Sequence, residues 1–115
     1  DDIVYVCLAK RPIAEGHTIV VLKKDISDFR KLPDREYDYL MVSVFTTRNA
    51  MMKTLKVKKV YLVYMDEAKH VHWHLIPRYK EKAIDAFKKE ISYLKDFSLA
   101  LKIKKNLVFI RDERF

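Results

Sequence analysis

One glycine, one cysteine and three prolines stand among 115 residues, and each scarcity excludes something. The lone Cys7 has no partner for an intramolecular disulfide and cannot by itself build a zinc knuckle or an iron–sulfur centre. It fits a reducing, cytoplasmic setting. No linker, internal repeat or low-complexity stretch interrupts the chain, so a single domain over residues 1–115 is expected, with room for one core and one site. Long hydrophobic runs are missing as well. Runs such as residues 19–22 and 107–110, and the longer one over 3–8, fall far below the roughly 20 residues that cross a bilayer, and no signal-peptide pattern is read. Acidic residues are the minority, 16 against 24 Lys and Arg, leaving a formal charge of +8. That excess favours anionic partners, whether phosphate-bearing ligands or nucleic acid, without selecting one. Pairs such as Lys23-Lys24, Lys58-Lys59, Lys88-Lys89 and Lys104-Lys105 read as solvated surface.

What is abundant is apolar. Half of the residues are hydrophobic and 12% aromatic, enough for burial to offset the entropy of ordering the chain. Residues 3–8 form a β-branched and aromatic run that predicts a strand, broken at Lys10, Arg11 and Pro12. A loop over 9–16, closed by Gly16, leads to a second strand over 17–22, the two forming an antiparallel hairpin. Residues 25–32 predict a short helix. Pro33 followed by Asp34 and Glu36 predicts a helix start, and Tyr37, Leu40, Met41, Val44, Met51, Met52 and Leu55 carry helical spacing to about residue 55. The methionines read as core packing. Two more strands are expected over 57–65 and 70–77, joined by the short segment 66–69. A second amphipathic helix is expected over 80–95 through Ile84, Phe87, Ile91 and Leu94. The tail over 97–110 reads as a hairpin turning at residues 104–106, with continuation of the preceding helix to Leu101 as the alternative.

The informative segment is His70-Val71-His72-Trp73-His74-Leu75-Ile76-Pro77. Successive side chains of a strand point to opposite faces, so His70, His72 and His74 share one face. Val71, Trp73 and Leu75 turn to the other, where the long helix can cover them. Packing does not demand a row of imidazoles, whereas chemistry uses one: near neutral pH one ring offers a nucleophilic nitrogen while a neighbour still carries a proton. Phosphorus is a suitable electrophile, because a nitrogen nucleophile splits one displacement into two steps. His-x-His on a strand is also a metal-ligand spacing, and zinc at His70, His72 or His17 is the alternative reading.

The pattern His-φ-His-φ-His-φ-φ followed by Pro77-Arg78 resembles the signature of the histidine-triad (HIT) superfamily of nucleotide hydrolases and transferases. The segment from Arg11 to Val21, with Gly16-His17-Thr18-Ile19-Val20, is similar to the family's lead into "Gly-His-x-Leu-Val". The likeness covers about residues 3–79, leaving 80–115 as a divergent C-terminal part. It implies an α+β fold, an antiparallel sheet of about five strands with two helices, commonly as a homodimer, and no required cofactor. It implies that His72 attacks the α-phosphate of a purine nucleotide or nucleotidyl adduct, giving a nucleotidyl-histidine that water resolves. By the same resemblance His74 contacts phosphate or the leaving group, His70 orients the site and His17 completes the cluster. Cys7 and Ile19 match the purine pocket. Transferases of the superfamily commonly carry Gln at the place of His74, so hydrolysis is the implied reaction. Two departures stand out. Ala9 occupies the place of an Asn or Asp that bonds the ribose, with Lys10 beside it as a polar substitute, and Asp66-Glu67-Ala68-Lys69 replaces a glycine-rich loop. A binding module without catalysis is the other reading that these departures allow.

Overall fold

Among the residues that the structure describes, four β-rich runs assemble into one antiparallel sheet. The computed structural model describes residues 1–64, 70–80 and 94–108. β1 (Val4–Leu8) pairs with β2 (Thr18–Leu22), Val4 opposite Leu22 and Leu8 opposite Thr18. β3 (Lys59–Tyr64) and β4 (His72–Arg78) pair with Lys59 opposite Arg78. The order is β1-β2-β4-β3, so β4 is hydrogen-bonded along both edges. The pairing of β2 with β4 begins before the strand proper: Leu22 N–H donates to the Val71 carbonyl at 2.9 Å, and Val71 N–H to the Ile26 carbonyl at 2.8 Å.

α1 spans Asp34–Leu55, with Pro33 at its cap and Asp34 and Glu36 in its first turn, where carboxylates offset unpaired amides. Its fully buried Leu40, Val44 and Met51 pack with Val20, Leu22, Val71 and Leu75 of the sheet. The methionine of that stripe is therefore core, and one sheet face is covered by the helix as the alternation around Trp73 requires.

Two expectations are corrected. Residues 25–32 hold only a 3-10 turn, Phe29–Lys31. The Asp28 carboxylate accepts from Arg30 N–H at 2.9 Å, and Leu32, which precedes Pro33, is held extended, the conformation that proline imposes on its predecessor. The hairpin with a turn at 104–106 is absent, and α2 (Leu99–Lys105) runs through that stretch. Leu99, Leu101 and Ile103 alternate like a strand, yet Ile103 is 3% exposed and Leu101 65%, a split that a helix packed against α1 produces and a strand face does not. The helix expected over 80–95 falls largely on residues outside the described ones. So does the segment 66–69.

Backbone handedness at two positions gives a paired prediction. Gly16 has φ +86°, and a Cβ there would meet Leu55 Cδ1 at 2.6 Å. Lys56, which caps α1, adopts the left-handed φ of 56° with a side chain. Gly16→Ala is expected to lower stability by roughly 2 kcal/mol or more. Lys56→Gly should raise it by about 1 kcal/mol, both read from urea unfolding midpoints.

Candidate active site

Register decides what the open face of the sheet presents. Ile19 lies opposite His74 and Val21 opposite His72, while Thr18 and Val20 lie opposite Leu75 and Trp73. Since the last two pairs point at α1, the first two point away from it. His70, just before β4, lines the same open cleft as His72, so the three histidines share a face as the alternation predicts. His17 precedes β2 by one residue and falls on that face too, although it is 3% exposed.

The rings form a chain of hydrogen bonds with a single direction. Ile13 N–H donates to His17 Nδ1 at 3.1 Å. His17 Nε2 and His74 Nδ1 are 2.9 Å apart, His74 Nε2 and His72 Nε2 3.1 Å, and His72 Nδ1 lies 3.0 Å from the His70 carbonyl oxygen. An amide N–H only donates and a carbonyl oxygen only accepts, so with neutral rings each tautomer follows. His17 and His74 carry their protons on Nε2, His72 carries its proton on Nδ1, and the lone pair of His72 Nε2 is left to accept.

Electrostatics favour the neutral form of His17 and His74. Burial, reinforced by His74, pushes the His17 pKa down to about 4. Burial and then the neighbouring His72 lower that of His74. The loop that carries Ile13 and His17 is held by Tyr79, whose hydroxyl donates to the Glu15 carbonyl at 2.6 Å. Burial, with the Glu15 charge second, raises the Tyr79 pKa to about 12.

Beside His70 and His72 opens a cleft of about 620 Å³, walled by Tyr5, Cys7, Ile19 and Val21 and reached by Lys10 and Phe97. Cys7, Ile19 and Lys10 thus line one cleft together with His70 and His72. Burial raises the Cys7 thiol pKa, against a smaller opposing effect of Lys10, so Cys7 is a wall rather than a nucleophile. Sequence reasoning missed Tyr5 and Phe97. Tyr5 shares parity with Cys7, a signal that points to it, whereas nothing local to Phe97 points to the cleft. Ala9 is 4% exposed and offers a methyl at the position matched to a ribose ligand. Among the described residues no three His, Cys, Asp or Glu side chains are grouped as ligands for a metal ion.

The sequence model of the HIT domain matches residues 1–81. This chain belongs to the HIT family. An uncharacterised HIT-like protein of Methanocaldococcus jannaschii is 34% identical over 85 residues, which cover 70% of this chain and 66% of that protein. In fold the chain is similar to a Hit-like protein involved in cell-cycle regulation from Bartonella henselae (TM-score 0.75, 22% identity, 93% of this chain and 82% of that one). It is also similar to a hypothetical histidine triad nucleotide-binding protein from Sulfolobus tokodaii (TM-score 0.71, 20% identity, 93% and 76%). A zinc-bound HIT family protein from Mycobacterium smegmatis shares the fold too (TM-score 0.66, 18% identity, 92% and 76%).

The lowered His17 pKa has a sign. Its ordinary value is 6.5 and its folded value about 4, so between those pH values the unfolded chain binds a proton that the folded chain refuses. Stability should therefore fall as pH drops from about 6.5 to about 4, with no further contribution below. Urea midpoints across that range should show the slope, and His17→Gln should flatten it.

Proposed function

We propose that this HIT protein hydrolyses a purine nucleotidyl bond at the α-phosphate, with His72 as nucleophile. The observation that carries the reading is the directed chain that leaves His72 Nε2 unprotonated at the edge of a nucleotide-sized cleft. Clefts of about 300–1,000 Å³ suit such ligands. Tyr5, Cys7, Ile19 and Val21 would hold the base, and Lys10 would meet a polar group of the sugar or phosphate.

In the first step His72 Nε2 forms a bond to the α-phosphorus and the bond to the leaving group breaks. The Nδ1–H of His72 stays on the His70 carbonyl, which orients the ring and stabilises the positive charge developing on it. The Nε2–H of His74 faces the reaction and hydrogen-bonds to the leaving group as its bond to phosphorus breaks, and solvent supplies the proton that the leaving group takes up. In the second step water attacks phosphorus, the P–N bond breaks so that His72 Nε2 recovers its lone pair, and the water's proton passes to solvent. His17 holds His74 in the required tautomer and does not itself reach the phosphate. The substrate is a dinucleoside polyphosphate, a nucleoside phosphoramidate or an adenylated adduct. The working protein on this reading is a cytoplasmic homodimer. One observation favours the second reading, a nucleotide-binding module without turnover: buried Ala9 supplies no donor or acceptor for the ribose hydroxyls.

Wild type and His72→Ala should be incubated with adenosine phosphoramidate, diadenosine tri- and tetraphosphate, and adenylated DNA, and AMP release followed by chromatography. Release by wild type is expected, with a loss of roughly 10³-fold or more in the variant. Nucleotide binding by wild type with no release would instead establish the binding module.

A further inference from the structure

The topology gathers cations that the sequence scatters. At one end of the sheet β1 and β4 terminate while β2 and β3 begin, since Leu8 lies opposite Thr18 and Lys59 opposite Arg78. α1 ends there as well, because Leu55 reaches Gly16 just before β2. Asn106, at the end of α2, donates to Thr54 Oγ1 at 2.7 Å. This end therefore carries Lys53 and Lys56 from α1, Lys58 and Lys59 at the start of β3, and Lys102 and Lys105 from α2, all exposed. Among the described residues none of the six has a carboxylate within ion-pair distance, and only Glu15 and Asp96 place acidic groups at this end. The ion pairs Lys24–Glu36 and Arg30–Asp28 belong to the opposite end, where Asp1, Asp2 and Asp34 also lie. Arg78 directly faces Lys59 across the strand pair, a like-charge arrangement that folding disfavours.

We infer that this end is a polyanion-binding surface that takes the sugar–phosphate backbone of a nucleic acid without preference for base sequence. Lysines spread over three elements present charge at several points, which suits a strand of phosphates, and their counterion-releasing contacts are independent of sequence. The choice of nucleic acid over an anionic bilayer rests on the nucleotide reading of the cleft. That cleft meets the basic end at Leu8 and Lys10 and is lined by the rings of Tyr5 and Phe97, 47% and 45% exposed. Aromatic faces beside a basic track are how bases and phosphates of one strand are held together. A bilayer surface would use the lysines and leave the rings idle.

The test is fluorescence anisotropy with labelled single-stranded and duplex DNA of about 20 nucleotides between about 50 and 200 mM salt. Two triple variants of equal charge change are compared, Lys58→Glu/Lys59→Glu/Lys102→Glu at the basic end and Lys23→Glu/Lys31→Glu/Arg35→Glu at the other, each checked for folding by its melting profile. The basic-end variant should bind at least roughly tenfold more weakly, and the slope of log K against log salt should fall by roughly 2 to 3, at about 0.7–0.9 for each phosphate left unneutralised. The control variant should stay within about threefold of wild type. Equal losses in both variants would reduce the effect to net charge and overturn the proposal. So would wild type that ignores DNA, or that binds phosphatidylserine vesicles in its place. The basic-end variant should release AMP from the small-molecule panel as wild type does, and DNA binding is scored whether or not wild type turns that panel over, so failure of the hydrolase reading and failure of this surface are read separately.

Discussion

Everything at the site depends on the pairing of β2 with β4. With Ile19 opposite His74 and Val21 opposite His72, the even-numbered histidines face the cleft and the odd-numbered Trp73 and Leu75 face α1. A slip of one residue would send the imidazoles into the core and the apolar side chains into water. The fully buried Val20, Leu22 and Leu75 oppose such a slip, because each would surrender most of its burial, on the order of 2 kcal/mol apiece. Core packing and site geometry are thus two faces of one register.

Much of this was legible in the chain. Alternation around His72 is a local property, and a strand converts it directly into a shared face. The start of α1 was equally plain, since Pro33, Asp34 and Glu36 are local signals and the apolar spacing after them is long enough to be unambiguous. The connections between histidines were not legible in the same way. His17 and His74 are 57 residues apart, and only the fold brings their rings together; the family likeness grouped them without giving the direction of the bonds. Where the pattern misled, two periods competed. Leu99, Leu101 and Ile103 satisfy a strand, and Leu99 and Ile103 also satisfy a helix; packing of Ile103 against α1 decided between them, a tertiary effect invisible in seven residues. In 25–32 the competitor was local, the Asp28 side chain serving the backbone in place of a helical bond.

Charge shows the same limit more sharply. Composition gave an excess of +8, and lysine pairs read one at a time are ordinary surface. Antiparallel strands and a long helix, each bringing one terminus to the same end, convert that uniform excess into two unlike ends. Net charge is additive along the chain, but its distribution is a product of topology.

The hydrogen-bond chain through the imidazoles begins on an amide and finishes on a carbonyl, so it cannot be run backwards. A string of hydroxyls or waters can flip every donor and acceptor together and keep all its bonds, whereas reversal here would leave Ile13 N–H facing a protonated Nδ1 and the His70 oxygen facing a lone pair. The main chain thereby fixes which nitrogen of each ring is protonated and which is bare before any ligand arrives.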